Sequence, residues 1–207
     1  MNIEDKQVLL FSAGRTGSTL IWQCLKELFN NPIKAHPKEM RQHFAKKNMD
    51  CVITERDPIE SYLSFVRCTV LKGDPNGFKK KINEKSYLFS ECLNYKNDLQ
   101  YISRIKKEYS GRILNLDYSK FNNNYNYIFS NFESFFNIKI KEYQKQKIIN
   151  KTSKSTNKKT QSKFKNFNSH DTESLIHGLH IVSDCDNYYS QMLTKENLEM
   201  LKNFFNE

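Results

Sequence analysis

The chain is predicted to be α/β, a three-layer sandwich with a central parallel sheet, on three observations. Short apolar runs at 7–13, 51–55 and 112–117 alternate with longer stretches of helical spacing, the pattern of parallel strands joined by crossover helices. The first run passes directly into a small-residue turn that opens a helix, VLLFSAGRTGST at 8–19. Turn chemistry then punctuates the chain where each crossover should end. Such a sheet is covered on both faces, and ligands sit at the carboxyl ends of its strands.

Each element follows from its residues. Val8 to Phe11 are apolar strand formers. Helix 18–30 carries Leu20, Ile21, Cys24, Leu25, Leu28 and Phe29 at helical spacing. An extended piece near 32–36 and a polar helical segment over about 38–47 precede strand 51–55. Asp57 is a good N-cap and Pro58 suits the first helical position, so a helix is predicted over 58–71. GDPNG at 73–77 is a turn. Residues 83–109 read as one long helix, stopped by Gly111 before strand 112–117. Helices near 125–136 and 140–149, a lysine-rich loop and a helix over 194–206 complete the chain. With no internal repeat and no break in composition, residues 1–207 are expected to form a single domain.

Composition bounds the function. No run approaches the ~18 apolar residues of a membrane span, and MNIEDKQ does not read as a signal peptide. Five cysteines (Cys24, Cys51, Cys68, Cys92, Cys185) without CxxC spacing suggest a reducing compartment, hence a cytoplasmic location. The net charge of +10 is concentrated: residues 139–165 hold ten lysines and one glutamate. Nucleic acid is the first partner such a run suggests, but no helix-turn-helix, zinc finger or RNP-type pattern accompanies it. It reads equally as a solvated segment or as an electrostatic wall around an anionic substrate.

The turn at 13–19 can bind phosphate with its backbone. Gly14 and Gly17 supply the conformational freedom. The free N–H groups of Ser18 and Thr19, at the positive end of a helix dipole, favour an anion. Arg15 adds a permanent charge in a fork that suits phosphate or sulfate oxygens. The turn is P-loop-like, but the nucleotide-hydrolysing pattern GxxxxGK[ST] is not met: Ser18 stands where its lysine should be. A strand–helix turn without a ligand would look similar. The second extended piece ends in His36 before Pro37, and the third in Arg56, with Ser61, Ser64 and Arg67 on one stripe of the following helix. Arg56 and Ser64 could clamp a second phosphate, or Arg56 could pair with Asp57 or Glu60.

Together these segments resemble the sulfotransferases that use 3′-phosphoadenosine 5′-phosphosulfate (PAPS), closest in motif layout to the cytosolic-type branch. Arg15-Thr16-Gly17-Ser18-Thr19 is similar to the family's [K/R]-S-G-[T/S]-T loop for the 5′-phosphosulfate. Arg56-Asp57-Pro58 with Ser64 resembles its 3′-phosphate element, and Lys34-Ala35-His36-Pro37 its K-T-H-x-P segment. RILNLDYSKF resembles the strand and acidic-aromatic turn before a late helix, and Thr152-Ser153 the T-S pair near the adenine. The likeness is good over about 7–70 and loose over 112–206. Departures are clear: Leu20 replaces the adenine-stacking tryptophan, with Trp22 two positions later, and the late R-K-G clamp has no match near HIVSDCDNYY. His180, Ser183, Lys158 and Lys159 are the candidates to replace it.

The resemblance implies sulfuryl transfer from PAPS to a hydroxyl or amine acceptor, with no metal. Arg15 and the N–H groups of 16–19 would stabilise the leaving diphosphate. His36 would be the general base, with Glu39 and Glu55 as fallback carboxylates. Arg56, Ser64, Thr152 and Ser153 would hold the rest of the nucleotide. Two other classes remain at this level: a small-molecule kinase on the same loop, and a non-catalytic nucleotide- or RNA-binding module built on the lysine stretch.

Overall fold

The computed structural model describes residues 6–37, 49–70, 77–165, 169–178 and 189–206. Four strands form one parallel sheet: β1 (Val8–Ser12), β2 (Ile33–Ala35), β3 (Asp50–Glu55) and β4 (Ile113–Asp117), in the order β2-β1-β3-β4. The helices are α1 (Ser18–Lys26), α2 (Pro58–Thr69), α3 (Phe78–Lys81), α4 (Lys85–Leu88), α5 (Cys92–Glu108), α6 (Tyr118–Phe121), α7 (Tyr125–Phe136), α8 (Glu142–Thr152), α9 (Lys154–Gln161) and α10 (Lys195–Asn206). A 3-10 turn spans Ser190–Met192.

Alternation along the strands builds the three layers, because successive side chains leave opposite faces of a sheet. Leu9, Phe11, Cys51 and Ile53 face α2, α5 and α10, packing with Tyr62, Leu63, Val66, Tyr95, Ile102 and Leu201. Val8, Leu10, Val52 and Leu116 face α1, α7 and α8, packing with Ile21, Leu25, Phe129, Phe132 and Ile148. Val8–Ser12 and residues 50–54 of β3 are buried on both faces of the sheet, as their apolar runs require, and only Glu55 at the end of β3 is exposed.

The predicted elements mostly hold, with two corrections. Asp57 does cap α2, its carboxylate accepting from the Glu60 N–H at 2.9 Å. The single helix expected over 83–109 is instead α4 and α5, separated at 89–91. There the Leu88 carbonyl accepts the buried Tyr62 hydroxyl (2.6 Å) and the Tyr87 carbonyl accepts the Ser90 hydroxyl (2.9 Å), so side chains take bonds the helix would have used. The lysine-rich loop is also helical: α8 runs on to Thr152 and α9 restarts behind Ser153, whose hydroxyl accepts from Thr156 N–H. Ile148 and Thr152 are buried, and Lys147 and Lys151 pair with Glu27 at the C-cap of α1 while Lys145 pairs with Glu133 on α7. This burial and pairing anchor a stretch whose composition alone reads as loop. The segment expected to be helical over 38–47 and most of the 73–77 turn lie outside the described residues.

Candidate functional site

Parallel pairing sets the carboxyl ends of all four strands along one edge. Phe11 pairs with Ala35, Ser12 with Thr54 and Glu55 with Asp117. The turn after β1, His36, Arg56 and Tyr118 therefore leave the sheet side by side.

The turn itself is braced from below. Thr16 donates its hydroxyl to the Ala13 carbonyl (3.1 Å) and meets the Thr54 hydroxyl at 2.7 Å, which it must then accept. Tyr95 reaches from α5 to donate to the Gly14 carbonyl at 2.8 Å. Arg15 and Gly17 both have positive φ, 68° and 79°. Alternating left-handed residues curl consecutive N–H groups into an anion-binding concavity, and an arginine held there stores about 1–3 kcal/mol of strain. Gly17 is forced twice over: a Cβ would lie 2.6 Å from the Tyr118 ring and 2.8 Å from Phe121. As N-cap of α1 it offers no side-chain oxygen, and the first turn of that helix holds no acidic residue. The N–H groups of Ser18 and Thr19 thus keep their attraction for an external anion.

Cations gather above this turn. Arg15 donates from Nε to Ser64 Oγ at 3.1 Å and from Nη1 to His177 Nε2 at 3.2 Å. Both acceptors are neutral, so they orient the guanidinium without cancelling its charge. Lys34 donates to Thr19 Oγ1 at 3.0 Å. His177 is buried, and desolvation, then the charges of Arg15, His170, Arg67 and Lys34, push its imidazole down to about 3. Burial, the largest cause, opposes charge of either sign, while the neighbouring cations add a positive field that favours anions.

Arg56 stands one ring away. Its guanidinium lies 4.5 Å from the centroid of Tyr118, the same ring that meets Gly17, and Nη2 is 3.5 Å from Glu60 Oε2. Glu60 is itself fixed, accepting from Tyr189 N–H (3.1 Å) and Ser190 N–H (2.7 Å). Arg56 thus shares the edge with Arg15; Ser64 meets Arg15, and Arg56 makes the Glu60 pair that its sequence position also offered.

His36 is exposed, with Nδ1 3.2 Å from the Ser12 carbonyl. A carbonyl only accepts, so Nδ1 carries the proton and the lone pair falls on Nε2. Of the fallback bases, Glu55 is bound through both oxygens to Lys106 at 3.0 Å, and Glu39 lies outside the described residues, as do His180 and Ser183. Thr152 and Ser153 sit at the α8–α9 corner. The Thr152 hydroxyl bonds the Ile148 carbonyl and the Tyr125 hydroxyl, and its carbonyl accepts from Asn157, which pairs with Gln23 of α1. That corner is consequently tied to the helix the phosphate turn opens. Lys158 and Lys159 belong to α9, and Trp22 is partly buried with the Lys26 ammonium 4.6 Å from its ring centre.

Three contributors escaped the sequence reading. Lys34 was visible only as part of a motif, and Tyr118 only as an aromatic after a strand. His177 carried no signal, since the 162 positions separating it from Arg15 are bridged only by tertiary folding. Among the described residues no group of three His, Cys, Asp or Glu side chains could hold a metal ion, and no helix is long and apolar enough to cross a membrane. Burial raises the Cys24, Cys51 and Cys92 thiols to about 12, so they are packing groups and not nucleophiles.

The same architecture occurs in a solved structure. The mouse sulfotransferase SULT7A1, crystallised with PAP, superposes with a TM-score of 0.64 over 97% of this chain and 83% of that one, at 13% identity. The likeness is one of fold. No protein-family model matches the chain, and no curated protein matches it in sequence.

Proposed function

We propose that this chain is a sulfotransferase that takes PAPS as donor and sulfates a hydroxyl or amine acceptor. The observation that carries the reading is the left-handed turn at 15–17, opening an α1 without a side-chain cap and loaded with Arg15 and Lys34, in a fold shared with a PAP-bound sulfotransferase. In this reading Arg15 and the N–H groups of 16–19 hold the 5′-phosphosulfate. Arg56 and Ser64 serve the 3′-phosphate, and Thr152 and Ser153 fix the corner beside the adenine.

Sulfuryl transfer forms an acceptor-oxygen–sulfur bond as the bridging sulfur–oxygen bond breaks in line with it. The acceptor proton passes to His36 Nε2, the accepting nitrogen of the neutral ring when the Ser12 carbonyl holds the proton on Nδ1. The negative charge that builds on the leaving phosphate falls on Arg15 and the turn, which are already oriented by Ser64 and His177.

Calorimetric titration with adenosine 3′,5′-diphosphate, AMP and ATP tests donor binding. The diphosphate is expected to bind at least about tenfold more tightly than AMP, a charge-assisted contact to the 3′-phosphate being worth roughly 1.5–3 kcal/mol. Equal affinities would overturn the reading. In a labelled-sulfate transfer assay across acceptors, His36→Ala is expected to lower turnover about 10²–10⁴-fold while leaving diphosphate affinity unchanged. Undiminished turnover would remove His36 as the base.

A further inference from the structure

Arg15 is held in a backbone conformation that its own side chain disfavours, with φ at 68°. Rotating the Gly14–Arg15 peptide by half a turn would return Arg15 to negative φ. Gly14 accepts either orientation, because it has no Cβ. The backbone of the turn alone therefore favours the flipped peptide. A contact from α5 opposes that flip: the Tyr95 hydroxyl donates to the Gly14 carbonyl at 2.8 Å, across 81 positions of sequence. The Tyr95 ring is firmly seated. It is 1% exposed and packs against Tyr62, Phe65 and Phe205 at centroid distances of 5.6, 5.5 and 6.4 Å.

We propose that Tyr95 is a positioning residue of the anion site, its hydroxyl fixing the Gly14–Arg15 peptide so that the Arg15 N–H faces the bound oxyanion. This rests on the anion-binding part of the donor reading above. The peptide is trans, so its C=O and N–H point in opposite directions. With the carbonyl bound toward α5, the Arg15 N–H points away from α5, toward the face of the sheet that α1 covers. Arg15 and Gly17 are left-handed, with Thr16 of negative φ between them. That alternation lines up the Arg15 N–H with the N–H groups that follow it, as far as Ser18. Without the Tyr95 hydroxyl, the carbonyl and the N–H exchange places. The site then loses one donor, and a carbonyl dipole faces the anion in its stead.

The test compares the full chain with Tyr95→Phe, which keeps the ring and its packing and removes the hydroxyl. Both proteins are titrated with inorganic sulfate and followed by backbone amide NMR, beside melting curves. In the parent chain sulfate is expected to move the amide signals of Arg15, Ser18 and Thr19 together. In Tyr95→Phe the Ser18 and Thr19 signals should still respond, while that of Arg15 no longer does. Sulfate affinity should fall about tenfold, the contribution of roughly one charge-assisted N–H donor. A role confined to stability would lower the melting temperature but leave the affinity and the pattern of responding amides unchanged, and that result overturns the proposal. So does a parent chain that binds no sulfate, or whose Arg15 amide ignores it. If the variant does not fold, crystal structures of the parent with and without sulfate decide. The Gly14 carbonyl is expected on Tyr95 in both, with a sulfate oxygen about 3 Å from the Arg15 nitrogen; a carbonyl turned to the sulfate overturns the proposal. Adenosine 3′,5′-diphosphate provides the second arm. If sulfate binding depends on Tyr95 but the diphosphate binds no better than AMP, the donor reading fails and this one stands. If the diphosphate binds as expected and Tyr95→Phe changes neither affinity nor amide pattern, the reverse holds.

Discussion

The two ends of the sheet handle charge differently. At the amino end, Asp50 opens β3 and takes Lys6 Nζ at 2.7 Å and a two-pronged Arg112 contact at 2.8 and 2.7 Å. At the carboxyl end, the described contacts of Arg15 run to a hydroxyl and an imidazole, and that of Lys34 to a hydroxyl. The carboxyl end holds ion pairs too, Lys106 with Glu55 and Arg56 with Glu60, and what sets it apart is the gathering of Arg15, Lys34 and Arg56 where ligands of parallel sheets bind. Arg56 lies between the two modes, at the ligand edge but beside Glu60.

Removing Arg15 is the hardest blow to that contrast. Arg15→Ala is expected to reduce sulfuryl transfer about 10²–10³-fold, the usual cost of deleting one preorganised donor to developing charge. Thermal stability should fall by no more than about 1–3 kcal/mol, since alanine inherits the same left-handed backbone and the buried Ser64 hydroxyl loses one hydrogen bond. Stopped-time transfer assays beside a melting curve check both halves. A loss of activity matched by a collapse in melting temperature would mean that Arg15 braces the turn and does not act on the anion.

Arg56→Ala should have the next largest effect and a more selective one. Affinity for adenosine 3′,5′-diphosphate is expected to fall roughly 10–100-fold, in line with one charge-assisted contact, while AMP affinity stays within about twofold. Because Glu60 already neutralises part of this guanidinium, the effect belongs at the lower end of that range. Equal losses for the two nucleotides would instead assign Arg56 to supporting Glu60 and the chain at Tyr189–Ser190.

Local chemistry made the sheet and the turn legible, and contacts between distant segments were not. β1, β3 and α2 announce themselves through apolar runs and the Asp57–Pro58 start, all satisfied within a few residues. The Arg15–Gly17 turn is equally local. The break before α5 was hidden because Tyr62, on another helix, captures the Leu88 carbonyl. The helical lysine stretch was hidden because Glu27 and Glu133, on other helices, make its charge tolerable. Ser64 was found through its spacing from Arg56, but its contact with Arg15, 49 positions away, is made by the fold. His177 entered the site through tertiary packing, and Tyr118, legible only as an aromatic after a strand, gained its place from its approach to Gly17.

The smallest effect on binding belongs to the opposite edge. Burial alone would raise the Asp50 carboxyl, but hydrogen bonds from Arg112 and Lys6 outweigh it and hold the group below the usual carboxylate range. A depressed carboxylate contributes stability that is complete above its unfolded value and disappears as pH falls through the folded one. Asp50→Asn should therefore cost about 1–2 kcal/mol near pH 7, and the difference from the parent chain should shrink on acidification below about pH 4. Diphosphate affinity should not change, because Asp50 and the Arg15 turn lie at opposite ends of their paired strands. Chemical denaturation at pH 7 and pH 3, with nucleotide titration at pH 7, separates the two roles. An Asp50→Asn protein that folds normally but binds the diphosphate more weakly would show that the two edges are electrostatically coupled, and the contrast between a structural and a ligand-facing end would fail.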